Sequence, residues 1–515
     1  MKKETITLKN NYPQILILTF FSLLIGSSYP YLQYGIDGGL VLAGIVKYQD
    51  FNSPMAYYFF NSWTLIHQFS SLLLQIGLSV ESSSKVLMMI STFFFSFGVF
   101  LFCYSITKEK NLSLFIAIVS IILGKNFGDT DYPSLIFSEH TYGMISLATF
   151  TFILGLIANK NIFFSCLLAF ILFSIHPIVG LWTLLIMFIS FYFLNIYNLY
   201  NKEVKKGVIL GIIFITFSFI LYNFNSIEKI PYNENLFLDY LENWDGHRSI
   251  SKLIHYEYLI KTLFLFILCT LTLKKKIESS TYSAHIFILL LSLVCSSILY
   301  LSYKLVPFIF PEFIKIIMPT RFIMLHTFLG WPLIIAVLIF LLKETFEKKA
   351  NFFVSILLIL ILIQNYNKIF LIKNNFINNF HEKEVSYVIK SLKNENFKSN
   401  LIVPSSLVPY IFKKAEKPIL LHTESMDFIP YHPYLSDKFF YILKRVYKIE
   451  NNLPPEQNNP SLSDDYIKNV FEKRSNDEWS SIKQEFNIEF VLVPHEWSLN
   501  INIHKQDKKY KLYKL

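Results

Sequence analysis

The feature that most limits what this chain can become is a succession of apolar segments about as long as a bilayer is thick. Segments 12–32, 204–222 and 352–372 each approach the ~20 residues a helix needs to cross the hydrocarbon core. Reading hydropathy along the whole chain gives about eleven spans. They fall near 13–33, 84–106, 111–126, 140–158, 161–175, 177–199, 205–224, 258–273, 283–304, 322–342 and 351–372. Composition agrees, with 53% of residues hydrophobic and only 16% charged, where soluble domains average roughly 45–50% and about 25%. The expected fold class is an α-helical polytopic membrane protein with a small C-terminal α/β domain.

The net charge of +10 would in a soluble chain raise the question of nucleic acid, but here the lysines sit in short loops beside apolar segments. If the N-terminus, with Lys2, Lys3 and Lys9, is cytoplasmic, the other basic loops fall on the same side. These are Lys108 and Lys110, Lys160, Lys202 with Lys205 and Lys206, Lys274 to Lys276, and Lys343 with Lys348 and Lys349, as the positive-inside rule expects. The alternation holds only if 54–78 does not cross, so that stretch is expected to form interfacial or re-entrant helices. The basic N-terminus with its long apolar run reads as a retained first helix rather than a cleaved signal.

The opposite side receives the long or acidic connections 33–83, 127–139, 225–257 and 305–321, and the tail. Residues 1–373 are thus expected to form the transmembrane part, with juxtamembrane helices at 34–83, and 374–515 a soluble extracytoplasmic domain. In the tail, strand-like runs at 400–403, 418–421 and 490–494 alternate with helical patterns such as 436–447, and 451–464 reads as a loop. The four cysteines, Cys103, Cys166, Cys269 and Cys295, lie inside apolar spans without CxxC spacing, so neither a disulfide framework nor a zinc site is expected. No repeat and no glycine-rich phosphate loop occurs.

The residues that can carry chemistry cluster in the outer connections. Asp37 lies in Tyr34-Gly-Ile-Asp-Gly-Gly just after the first span, and its glycines permit close ligand approach. It suits a general base or a metal ligand, against the plainer role of a helix cap. Asp50 follows, before the Pro54-led aromatic segment. Asp129 and Asp131 form an acidic pair closed by Glu139 and His140. Two carboxylates so spaced either share a divalent cation or raise one pKa, unless they are simply a solvated acidic loop. His176, before Pro177, sits at a tight turn between two spans, and an ionisable group at membrane depth marks function by default; capping the adjacent helix is the competing account. Arg321 enters a span from the outer side and suits bidentate phosphate binding, against snorkelling to headgroups. Trp244-Asp-Gly-His247-Arg248 suits sugar or lipid-phosphate binding, or interfacial anchoring.

This arrangement resembles the GT-C superfamily of membrane glycosyltransferases, whose donors are polyprenyl-phosphate-linked sugars. Asp37 matches the family's acidic residue in the first outer loop, and 50–60 matches its juxtamembrane helices. Asp129 and Asp131 match the acidic pair that oligosaccharyltransferase catalytic subunits carry between the third and fourth spans. Arg321 matches a late outer arginine near the donor phosphate, and the tail matches the family's C-terminal domain. The chain departs from the pattern in having Asp-Gly-Gly in place of an acidic pair and no WWD-type acceptor motif, which argues against protein N-glycosylation. The resemblance implies an inverting transfer of a sugar to a lipid, glycan or protein acceptor on the outer face of a bacterial-type cytoplasmic membrane. Asp37 would be the catalytic base. Asp129, Asp131, Glu139 and His140 would bind acceptor or metal, and Arg321 with His176 would bind the departing phosphate. Asp50, His247 and Arg248 are secondary candidates. If a cofactor is used it is Mg2+ or Mn2+, held by Asp37, Asp129 and Asp131. The partners implied are the lipid-linked donor, its acceptor and membrane lipids, with no nucleic acid. The rival readings are a transporter or flippase of lipid-linked glycans, a glycan polymerase or ligase, and a GT-C-like protein with a degenerate site.

Overall fold

A computed structural model describes residues 12–28, 64–123, 142–221, 231–244, 256–276, 283–306, 326–346, 350–364, 385–395, 399–421, 429–450 and 463–515, with the short pieces 309, 317, 322, 366–367, 369–370 and 373–374. The chain forms two compact units. One holds the described parts of Met1–Gly35, Ser84–Leu221 and Leu253–His381; the other holds those of Ile36–Ser83, Tyr222–Lys252 and Glu382–Leu515.

The described helices are, in order, α1 (Tyr12–Ser27), α2 (Leu65–Gln75), α3 (Val80–Thr107), α4 (Lys110–Leu123), α5 (Tyr142–Ala158), α6 (Ile162–Ile175), α7 (Pro177–Phe193), α8 (Ile196–Leu199), α9 (Asn201–Leu221), α10 (Glu234–Asp239), α11 (Tyr256–Lys276), α12 (Ala284–Leu305), α13 (Thr327–Phe346) and α14 (Ala350–Gln364). Each of the expected spans contains a helix. Within the stretch 54–78 the described helix α2 has 11 residues, or about 16 Å at 1.5 Å per residue, half a hydrocarbon core. The expected span 177–199 is broken, because Asn195 turns left-handed with φ 55° and separates α7 from α8.

The first unit is a membrane bundle. Ser82–Thr107 and Ala284–Leu305 are long and apolar enough to cross a bilayer. More decisive is the surface of the other helices: Ile209, Ile213, Phe217 and Ile220 on α9, Ile260 and Leu263 on α11, and Phe352 and Ile363 on α14 are all exposed. Water does not tolerate contiguous apolar faces on this scale, whereas lipid requires them. Inside the bundle, hydroxyls such as those of Ser22 and Thr149 close back on the preceding turn, to the Leu18 carbonyl (2.7 Å) and the Ile145 carbonyl (2.8 Å), and so are satisfied within their own helices. α6 and α9 approach through a small-xxx-small pair: a Cβ on Gly207 would lie 2.6 Å from the Cys166 Cβ, and one on Gly211 2.5 Å from the Phe170 ring. Backbone proximity of this kind is how helices associate in lipid.

The second unit contains the tail. After α15 (Tyr387–Asn394) come β1 (Asn400–Ile402), α16 (Val408–Ala415), α17 (Tyr434–Tyr447), α18 (Asp464–Glu472), α19 (Asn476–Phe486), β2 (Ile488–Pro494), β3 (Ile503–Gln506) and β4 (Tyr510–Lys514). The sheet order is β1-β2-β4-β3, with β1 parallel to β2 and the remaining pairs antiparallel. The expected strand at 418–421 is reduced to a single parallel bridge between Leu401 and Ile419. The hairpin of β3 and β4 was not expected from the sequence, because its lysine-rich residues lack a clean apolar alternation. Arg474, buried, closes the end of α17: its Nη2 donates to the Val446 carbonyl at 2.7 Å and its Nη1 to that of Arg445 at 3.3 Å. The guanidinium lies 5.0 Å from the Trp479 ring centroid.

Candidate functional site

His176 is the one sequence-predicted site residue that lies among the described residues. Asp37, Asp50, Asp129, Asp131, Glu139, His140, His247, Arg248 and Arg321 lie outside them. His176 forms the whole connection between α6 and α7. Its backbone N–H donates to the Leu172 carbonyl at 2.8 Å, ending α6, and its carbonyl accepts from Gly180 N–H at 2.8 Å, starting α7. The ring Nδ1 accepts from Val179 N–H at 3.4 Å, and Pro177 opens α7, where its missing N–H costs nothing. Capping therefore occupies Nδ1, and in the neutral ring Nε2 is the donor nitrogen. The turn is this tight because Gly180 has no Cβ; one there would lie 2.2 Å from the Phe173 Cα.

Two histidines that the sequence reading did not single out are buried in the bundle. His326, at the start of α13, has its Nε2 2.9 Å from the Ser292 Oγ, and the Trp182 indole N–H donates to that same oxygen at 3.0 Å. Trp182 also packs on Phe322 at 4.6 Å between ring centroids. This links α7, α12 and α13 through polar atoms well inside the bundle, since Ser292 is the ninth residue of α12. His285 meets Ser105 at 2.8 Å; that hydroxyl donates to the Phe102 carbonyl at 2.6 Å, so it accepts from Nε2–H of His285. No sequence signal pairs Trp182 with Ser292, which lies 110 residues away.

Between α11 and α12 runs an apolar groove of about 280 Å³, lined by Leu259, Thr262, Leu263 and Phe266 on one side and by Leu293, Val294, Ser297 and Ile298 on the other. Its lining suits a hydrocarbon chain rather than a polar headgroup.

The loop that joins α9 to α11 corrects one expectation. Trp244 is neither a ligand platform nor an interfacial anchor: it is 3% exposed and stands edge-on to Phe439 (5.3 Å) and Phe440 (6.3 Å) of α17. Tyr240 meets Phe439 at 5.5 Å. Asn233 caps α10 with its side chain, while its backbone N–H donates to the Asp437 carboxylate at 3.1 Å. Residues 240–244 take a π-helical turn, a local widening often found at functional sites. The loop and the tail thus share one aromatic core, immediately before Asp245, His247 and Arg248 in the sequence.

All four cysteines are free thiols. Among the described residues no group of three or more His, Cys, Asp or Glu side chains is placed to hold a metal ion, and Asp37, Asp129 and Asp131 lie outside those residues.

No protein-family model matches the chain, and no curated protein matches it. Among solved structures, the chain is similar to ArnT from Cupriavidus metallidurans bound to undecaprenyl phosphate, at 10% identity and a TM-score of 0.42 over 97% of each chain. It is also similar to the oligosaccharyltransferase of Archaeoglobus fulgidus in its apo form, at 11% identity and a TM-score of 0.41, covering 94% of this chain and 69% of that one. The archaeal oligosaccharyltransferase AglB from Archaeoglobus fulgidus, in complex with an inhibitory peptide and a dolichol-phosphate, matches at 10% identity and a TM-score of 0.41, covering 94% of this chain and 69% of that one. At this identity and overlap the likenesses assign neither residue roles nor a reaction.

Proposed function

We propose that the protein is a membrane glycosyltransferase that moves a sugar from a polyprenyl-phosphate carrier to a lipid, glycan or protein acceptor at the outer face of the membrane. The observation that carries this reading furthest is the apolar groove between α11 and α12, which suits an isoprenoid chain. The loop–tail body supports it from a second side. Because the loop between α9 and α11 folds together with α17, loop and tail belong on one side of the membrane. His176 lies at the end of the α6–α7 hairpin opposite Lys160 and Lys202, so a cytoplasmic lysine end puts His176 on the outer side.

The chemistry follows the sequence motifs. Asp37 takes the proton of the acceptor hydroxyl as its oxygen attacks the anomeric carbon; the bond from that carbon to the phosphate oxygen breaks, and the electron pair leaves with the polyprenyl phosphate. One displacement inverts the centre. Arg321 holds the departing phosphate, and His176 is limited to Nε2 as donor because Nδ1 serves the cap. Asp129 and Asp131, with Glu139 and His140, orient the acceptor. A divalent cation held there would add Lewis-acid stabilisation, and none of these steps runs through it. Mass spectrometry of surface glycans from cells carrying Asp37→Asn is the test: loss of one glycan species supports the reading, and an unchanged profile on full deletion of the protein overturns it.

A transporter of lipid-linked glycans is the second reading, favoured by the buried His326, since ionisable groups deep in a bundle line many transport paths. His326→Gln separates the two. It should abolish movement of substrate by a transporter, and leave a transferase that uses Asp37 measurably active.

A further inference from the structure

We propose that the start of α9 forms a binding site for an anionic phospholipid headgroup, built from Lys202, Lys205 and Lys206 and flanked by the aromatic end of α7. This site is independent of the glycosyltransfer reading. The three lysines stand at i, i+3 and i+4 and so share one face of the helix, and all three are exposed. Among the described residues none of them is paired with a carboxylate; Glu203 is the only acid in the first turn. Their position is electrostatically wrong for the helix by itself. Cations at a helix N-terminus oppose the macrodipole, and like charges at i, i+4 repel. An anion drawn to that face relieves both.

The surroundings select a lipid over a soluble anion. One turn below the lysines the same surface continues as exposed Ile209, Leu210, Ile212 and Ile213, an acyl-chain surface directly beneath a cationic patch. Beside it, Tyr192 is 81% and Phe193 69% exposed, and Tyr197 and Leu199 are also exposed. Side chains of this kind sit at the boundary between headgroups and hydrocarbon, where the tyrosine hydroxyls reach polar atoms. A headgroup phosphate over the lysines and two chains on the α9 face satisfy the entire surface, while free phosphate would leave the apolar part uncovered. The Asn195 turn and the short α8 hold the aromatic end of α7 next to the start of α9.

The test is lipid retention measured by native mass spectrometry on the full-length detergent-solubilised protein, titrated with dioleoyl phosphatidylglycerol or dioleoyl phosphatidylcholine. A basic residue near an anionic lipid strengthens binding about fivefold. The K202Q/K205Q/K206Q variant should therefore bind phosphatidylglycerol on the order of 100-fold more weakly, with phosphatidylcholine unchanged. The triple arginine variant should retain the preference, high salt should reduce it, and glutamines at Lys274, Lys275 and Lys276 should leave it intact. Should the triple glutamine variant fold poorly, each single glutamine variant is expected to lose about fivefold. Equal affinity of the wild type for the two lipids overturns the proposal. So does a preference that survives the glutamines, or one lost equally through the control lysines, which would reduce the site to general attraction between basic loops and an anionic surface.

Discussion

Replacing Trp244 with alanine removes the ring that seats the loop between α9 and α11 on the tail. An aromatic side chain buries about 150–250 Å², so at ~25 cal/mol per Å² its burial is worth at most about 4–6 kcal/mol. Measured Trp or Phe to Ala changes in cores cost about 3–5 kcal/mol, and the two edge-on contacts with Phe439 and Phe440 lie within that figure. Expressed as an opening equilibrium, 3–5 kcal/mol is roughly a hundred- to few-thousand-fold. Hydrogen exchange followed by mass spectrometry on the protein in lipid nanodiscs reads it out: amides of α17 and of 234–244 should lose protection together by that factor, whereas Trp244→Phe should lose far less. Tyr240→Ala should not add fully to it, because both rings rest on Phe439. If Trp244→Ala leaves protection in both segments within about threefold of wild type, the loop and the tail are not one folded body, and the argument that they share a side of the membrane fails with it.

Other outcomes follow from particular contacts. Gly180→Ala should be more damaging than Gly211→Ala in thermal unfolding, since the new methyl meets Phe173 backbone in the first case and a movable Phe170 ring in the second; overpacking of the latter kind costs about 1–3 kcal/mol. Ser292→Ala strips the Trp182 indole of its acceptor, and the detergent-solubilised protein should lose about 1–2 kcal/mol, with Ser292→Thr largely restoring it. In the tail, burial pushes His432 down to about 4. The unfolded chain therefore binds a proton that the folded tail excludes, and stability should fall as pH drops from about 6.5 to 4, a slope that His432→Gln removes. A second acid-side loss belongs to Glu478, held at about 2 by its hydrogen bond to Lys448 and by the Ser475 backbone. Its contribution is complete above the ordinary carboxylate range and is lost as pH falls towards 2. Lys448→Gln should diminish that loss, modestly because the pair is exposed.

In the tail, α17 and the first two strands were legible: the strands are short apolar runs, and in α17 the buried Leu435, Phe439, Leu443 and Val446 repeat as a helical face. The hairpin of β3 and β4 was not, since pairing of β4 with β2 and of β3 with β4, rather than their own pattern, makes those lysine-rich segments strands. Among the candidate site residues, His176 was legible as a motif, but its two proposed roles could be weighed only once the Val179 contact was visible. Trp244 was read as part of a sugar- or lipid-phosphate-binding motif or as an interfacial anchor, because its partners Phe439 and Phe440 lie about 195 positions away in sequence.

By itself the amino-acid sequence determined that this chain belongs in a bilayer and where its apolar helices fall. Hydrophobic length is a local property, and the cost of burying unpaired backbone in lipid leaves the helix as the one outcome for such segments. Tertiary structure decided which polar atoms meet: Trp182 with Ser292 and His326, Trp244 with Phe439, Asn233 with Asp437. Those contacts join residues far apart in the chain, and their energies depend on close packing and on hydrogen-bond geometry at distances near 3 Å, neither of which is written in the order of the residues.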